Sequence, residues 1–155
     1  MKIGILGSGL MGAKLGTIFT RAGHEVTFSY SRDPKKLEKL AREAGGKTKA
    51  GTPRDAVENA DAVLLAVNWW NLDDVLKQAG SLAGKVVISC SMPMNEDNSA
   101  LAIANTSSGA ETLQKKLPKA RVVSAFNTVP SEVLFDVFES KGKGESAELA
   151  HLRRR

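Results

Sequence analysis

The sequence predicts a doubly wound α/β fold: a mostly parallel sheet of about six strands with helices on both faces. Three observations predict it. Short apolar or β-branched runs alternate with helical stretches six times along the 155 residues, the pattern of βα units sharing a parallel sheet. Residues Ala62 to Val67 are apolar throughout, as a central strand covered on both faces must be. The first apolar run also ends in a glycine-rich turn that leads directly into a helical stretch.

The elements follow in order. Lys2 to Gly7 is a short apolar run closed by glycine, a buried strand. Leu10 to Ala22 has apolar residues at helical spacing and stops at Gly23. Glu25 to Tyr30 is rich in β-branched and aromatic residues and reads as a strand. Pro34 to Ala44 is a charged amphipathic helix ended by Gly45-Gly46, and Lys47 to Ala50 is a weak short strand. Thr52 caps a short helix with Pro53 at its first position. After the apolar strand Ala62 to Val67 come a helix from Leu72 to Ala79 and a strand from Lys85 to Ser89. Met92 to Gly109 is long, polar and loop-like, with a short helix expected at Ser99 to Ala104. Glu111 to Leu117 is helical, Arg121 to Ala125 is a strand and Pro130 to Phe138 is helical. The domain expectation is one unit over 1–139, followed by a basic, mobile tail over 140–155.

Composition excludes several classes. A single Cys rules out a disulfide framework and a CxxC metal site. No apolar run reaches the ~20 residues of a membrane span. Glycines interrupt the N-terminal apolar stretch before a signal-like core forms, so the expected compartment is the cytoplasm. The net charge of +5 is unevenly placed. Residues 32–54 carry eight basic residues against three acids, and residues 141–155 carry five against two. The remainder is slightly acidic, so two basic stretches flank a near-neutral body.

The turn after the first strand is Gly7-Ser8-Gly9-Leu10-Met11-Gly12, a G-x-G-x-x-G between strand and helix. The first glycine permits the tight turn, the second lets a pyrophosphate approach the backbone, and the third lets the helix pack on the strand. The helix start points free N–H groups and its positive end at the phosphates. In this strand–turn–helix context the motif predicts a Rossmann-type dinucleotide site.

The end of the second strand chooses the nucleotide. An NAD site usually has an Asp or Glu there for the ribose 2′-OH. This chain has Ser31-Arg32, with Lys36 one helical turn on. A hydroxyl and a guanidinium bind a 2′-phosphate that a carboxylate would repel, so NADP is expected. Asp33 precedes Pro34 and is a candidate cap instead. The remaining site candidates sit at other strand ends, where ligands of parallel sheets lie. They include Val67 and Trp69 after the fourth strand, Met94 after the fifth, and Ala125 and Asn127 after the sixth. Trp69 and Trp70 offer an apolar wall against water or plain packing. Cys90 reads as a small buried hydrophobe, and no His/Cys cluster supports a metal.

Together these segments resemble the F420-dependent NADP reductase family from Met1 to about Glu139. The resemblance lies in I-G-I-L-G-S-G-L-M-G, A-G-H-E-V, S-R-D-P-K-K, the Trp after the fourth strand, and V-V-S-A-F-N-T-V-P. It implies that Ser8, Gly9, Leu10 and Met11 hold a pyrophosphate, and that Ser31, Arg32 and Lys36 hold the 2′-phosphate. It also implies that Trp69, Met94 and Ala125 line the rest of the NADP site. The implied reaction is hydride transfer between nicotinamide C4 and C5 of the deazaflavin coenzyme F420. The protein's task there is positioning, since the cofactors carry the chemistry. This agrees with the absence of a triad, paired carboxylates or a catalytic Lys, so no catalytic residue is assigned.

Past Glu139 the resemblance stops. Family members continue with elements that close the deazaflavin pocket and support homodimers. The expectation is a member that keeps the NADP half and lacks part of the second-substrate half. The rival readings are an NADP-binding module without F420 activity, and another reductase with a similar start, such as a hydroxyacid dehydrogenase or a ferric reductase domain. The hydroxyacid enzymes need a long helical domain for which 155 residues leave no room. A nucleic-acid role would use the basic stretches, but neither has the interleaved aromatic residues such binding favours. The expected partner is a small-molecule redox acceptor, with no nucleic acid and no membrane.

Overall fold

The structure is a computed structural model describing residues 1–103 and 106–140. Six strands form one sheet: β1 (Lys2–Leu6), β2 (Glu25–Ser29), β3 (Thr48–Ala50), β4 (Ala62–Leu65), β5 (Val86–Ser89) and β6 (Arg121–Ser124). Their order is β3-β2-β1-β4-β5-β6, and every pairing is parallel. The chain runs outward from β1 in one direction and then returns to build outward from β4 in the other. This is the Rossmann order, and its switch point lies between β1 and β4.

Helices cover both faces. On one side lie α1 (Leu10–Arg21), α2 (Pro34–Ala44) and α6 (Leu134–Glu139), and on the other α3 (Pro53–Glu58), α4 (Leu72–Ala79) and α5 (Gly109–Lys116). Successive strand residues point to opposite faces, so each strand feeds two cores. Ile3, Ile5, Val26, Phe28 and Leu64 pack with Leu15, Leu37, Ala41 and Leu134 on the first side. Leu6, Val63, Leu65 and Val87 pack with Val57, Leu72, Val75 and Leu113 on the second. At ~25 cal/mol per Å² of apolar surface removed from water, these two layers supply most of the drive to fold.

Two close approaches depend on missing side chains. A Cβ on Gly4 would collide with the Ala56 carbonyl, so α3 sits directly on β1. A Cβ on Gly16 would collide with the Phe28 ring, so α1 lies tight against β2. The starts of α2, α3 and α5 are closed by side chains. Asp33 accepts a hydrogen bond from the Lys35 N–H at 2.9 Å, the capping role foreseen for it. Thr52 with Asp55 and Ser108 with Glu111 form reciprocal capping boxes, devices in which cap loss typically costs ~1 kcal/mol.

Three local expectations need correction. No helix forms over Ser99 to Ile103. Instead Met94 and Leu101 make an isolated antiparallel bridge, and the Asn95 carboxamide oxygen accepts from the Ser99 and Ala100 N–H groups. A polar side chain satisfying the backbone in this way competes directly with helix. The Ala104 end of that expected helix lies outside the described residues, as does the expected tail from Lys141 onward. The C-terminal helical stretch is divided: a 3₁₀ turn, Ser131–Val133, leads into α6. Finally, β4 ends at Leu65, two residues before the end of the apolar run. Ala66 N–H still donates to Leu6 O at 2.8 Å, and beyond it the chain leaves the sheet to form the site.

Candidate functional site: a dinucleotide cleft at the carboxyl edge

The carboxyl ends of β1, β2 and β4 open into a cleft of ≈ 1080 Å³. It brings together Gly7, Ser8, Gly9, Ser31, Arg32, Lys36 and Val67, seven of the residues singled out from the sequence. Gly7 has φ +108, a conformation that suits glycine. It ends β1 one residue early and reverses the chain into α1. Gly12 lies over this turn, where a Cβ would collide with the Gly7 carbonyl oxygen.

Gly9 differs from both. Nothing lies within 4 Å of the place its Cβ would occupy. The start of α1 behind it has no side-chain cap and no acid in its first turn. Free amides, a positive helix end and open space therefore coincide, and a pyrophosphate fits there. Leu10 and Met11 begin α1. Leu10 is 70% exposed, whereas Met11 packs against the core beneath it. The buried Ser8 hydroxyl donates to Ser29 O at 2.8 Å and ties the turn to β2.

The other wall holds the charge. The Ser31 hydroxyl oxygen accepts from the Asp33 N–H at 3.2 Å, which leaves its proton free for a ligand. Among the described residues neither Arg32 nor Lys36 is in an ion pair. Most carboxylates around the cleft are otherwise engaged. Asp33 caps α2, and Asp55 is held below the usual carboxylate range by hydrogen bonds from the Thr52 hydroxyl and amide. Two unpaired cations beside a hydroxyl, next to an open anion-binding turn, fit a phosphorylated ribose.

Tyr30 was not anticipated in the site. It adopts φ +59 directly after β2, rare for a bulky residue. Its hydroxyl donates to Asp74 Oδ2 on α4 at 2.7 Å, across the cleft. Burial, followed by the hydrogen bond and charge of Asp74, pushes the phenol up to about 12, against an opposing effect from Arg32. Nothing in its residue type announced this, because the signal lies in a partner 44 positions away.

Trp69, Met94, Ala125 and Asn127 do not line this cleft but lie along the ends of β4 to β6. Trp69 is half-buried against the core on the α3–α4 side. A Cβ on Gly109 would stand 3.4 Å from both its ring and Pro93. Met94 forms the bridge to Leu101, and Ala125 N–H donates to Ser89 O at 3.0 Å. Asn127 Nδ2 donates to Ser91 O at 3.1 Å, and the buried Ser91 hydroxyl donates to Val67 O at 2.7 Å. Ser91, not singled out from the sequence, thus joins three strand ends. Cys90 is buried, and burial pushes its thiol up to about 11, so it stays protonated near neutrality.

Residues 2–93 match the family described as NADP oxidoreductase, coenzyme F420-dependent. The chain belongs to this family. Among solved structures, a protein of Arthrobacter sp. FB24 described as an F420-dependent NADP reductase is similar, at 26% identity and a TM-score of 0.79. The match covers 99% of this chain and 78% of that one. A hypothetical protein of Sinorhizobium meliloti, SMa0349, is 30% identical with a TM-score of 0.75, over 86% of this chain and 65% of the other. Among curated proteins, the rat metalloreductase STEAP3 is 29% identical over 86% of this chain and 26% of its own length. The chain spans between 25% and 50% of the length of the curated relatives it matches. The family match includes the Gly7–Gly12 turn, Ser31 to Lys36 and Val67 to Met92, and so takes in both walls of the cleft. No helix among the described residues is long and apolar enough to cross a membrane.

Proposed function

We propose that this chain binds NADP(H) and presents its nicotinamide for hydride exchange with the deazaflavin coenzyme F420. The observation that carries the cofactor reading is the pair Arg32 and Lys36, in no ion pair among the described residues, beside Ser31 and the open turn at Gly9. Family membership supports the deazaflavin. On this reading residues 1–139 form the NADP-binding domain, and the partner is a small-molecule redox acceptor.

Each residue has a positioning task. The amides at the start of α1 hold the pyrophosphate, and Gly9 leaves room for it. The Ser31 hydroxyl, the Arg32 guanidinium and the Lys36 ammonium hold the 2′-phosphate. The hydrogen-bonded strand ends at Val67, Ser91 and Asn127 provide a fixed floor leading away from the turn. Once bound, the two coenzymes would supply the redox chemistry, a hydride exchanged between nicotinamide C4 and deazaflavin C5 with the balancing proton taken from or returned to solvent. Side chains need only align the rings.

The test is a titration with NADPH followed by addition of F420 while deazaflavin absorbance is followed. Saturable NADPH binding with loss of that absorbance is the expected result. Binding without absorbance loss would favour an NADP-binding module without F420 activity. Failure to bind NADPH would overturn the cofactor reading.

A further inference from the structure

We propose that Tyr30 and Asp74 form a clasp that reads the base of the bound dinucleotide and selects a purine carrying a 6-amino group. The proposal rests on the NADP(H) reading above and extends it to the other end of the cofactor.

The clasp spans the two walls of the cleft. Tyr30 comes from the end of β2, next to the phosphate-binding group, and Asp74 from α4 on the facing wall. Two donors converge on one carboxylate oxygen. Tyr30 Oη reaches Asp74 Oδ2 at 2.7 Å, and Gln78 Nε2 reaches the same atom at 2.8 Å. No hydrogen bond or ion pair among the described residues engages Oδ1. The carboxylate is therefore held by one oxygen and offers the other. Its raised pKa keeps the Tyr30 phenol a donor throughout the working pH range.

The position of the ribose then places the base. With its 2′-phosphate on Ser31, Arg32 and Lys36, the base extends into the rest of the cleft, lined by Val67, Asn68, Asn71 and Asp74. A guanidinium at Arg32 can stack on a purine ring. An ionised carboxylate is acceptor-only. A 6-amino group donates to it, whereas a 6-oxo group sets lone pairs against a negative charge. Sites built around a polar partner discriminate strongly when the matching group is absent. Tyr30 is a positioning residue here, because it acts by holding Asp74.

The experiment compares the dissociation constants of NADPH and its 6-oxo analogue, reduced nicotinamide hypoxanthine dinucleotide phosphate, by calorimetric titration. The unaltered chain is expected to favour NADPH by about tenfold or more. Asp74→Asn can turn an amide N–H₂ toward the base and should bring the two to near parity. Tyr30→Phe keeps the ring but releases the carboxylate, and should lower the preference several-fold. Both variants should keep the NADPH-over-NADH preference, which reports an intact phosphate site. Equal affinities in the unaltered chain, or an undiminished preference in Asp74→Asn, would overturn the clasp while leaving the cofactor reading in place. Failure of the unaltered chain to bind either dinucleotide would overturn both.

Discussion

Arg32→Ala weakens NADPH binding by about a hundredfold and leaves NADH binding nearly unchanged; this is the largest single effect expected in the site. Charge-assisted hydrogen bonds contribute ~1.5–3 kcal/mol each, and a guanidinium makes two to a phosphate. Arg32 is exposed, so solvent screening favours the lower end of that range, ~3 kcal/mol in all. The same exposure makes the effect shrink as salt is raised. Lys36→Ala should act in the same direction but more weakly, since a single ammonium lacks the bidentate geometry. Calorimetric titration of both cofactors checks the pair. Equal loss of NADPH and NADH affinity would remove the 2′-phosphate from Arg32.

Gly9→Ala and Gly12→Ala should fail in opposite ways. At Gly9 the backbone has φ −74 and ψ −166, which alanine adopts freely, and the added methyl meets no protein atom. Stability should stay within ~0.5 kcal/mol of the parent. NADPH affinity should fall tenfold or more, because the methyl occupies the space left for the pyrophosphate. At Gly12 an alanine would ordinarily stabilise a helix by ~1 kcal/mol. There the methyl runs into the Gly7 carbonyl, so the sign reverses and ~1–3 kcal/mol is lost. Thermal unfolding and cofactor titration on both variants separate the two. Unchanged NADPH affinity in Gly9→Ala would show that the phosphates lie elsewhere.

The fold was legible in the sequence because its strongest signals are local. Unbroken apolar strands such as Val63 to Leu65 and the turn at Gly7 to Gly12 state their roles within a few residues. The capping of α2 by Asp33 was equally readable, since the Asp-Pro pair encodes it. Strand ends were less so. Tyr30 continues the β-like composition of its strand, yet the chain turns at it to meet Asp74. The stretch after Met92 misled for a related reason: Asn95 binds backbone amides that a helix would have used. That Ser31, Arg32 and Lys36 share one wall of the cleft could be anticipated from their place at the end of the second strand. Ser91 could not, because its part depends on which strands become neighbours.

The tie between those neighbours has a kinetic side. Ser91 gives its hydroxyl proton to Val67 O, and its own carbonyl takes one from Asn127, so the ends of β4, β5 and β6 share one linkage. Adjacent amides belong to the same knot: Cys90 N–H donates to Leu65 O and Ala125 N–H to Ser89 O. None of these ends can fray alone without stretching the others. In deuterated solvent the amide protons of Cys90 and Ala125 should therefore exchange at a common slow rate, set by a cooperative sub-global opening. Ser91→Ala should uncouple the two rates and quicken both.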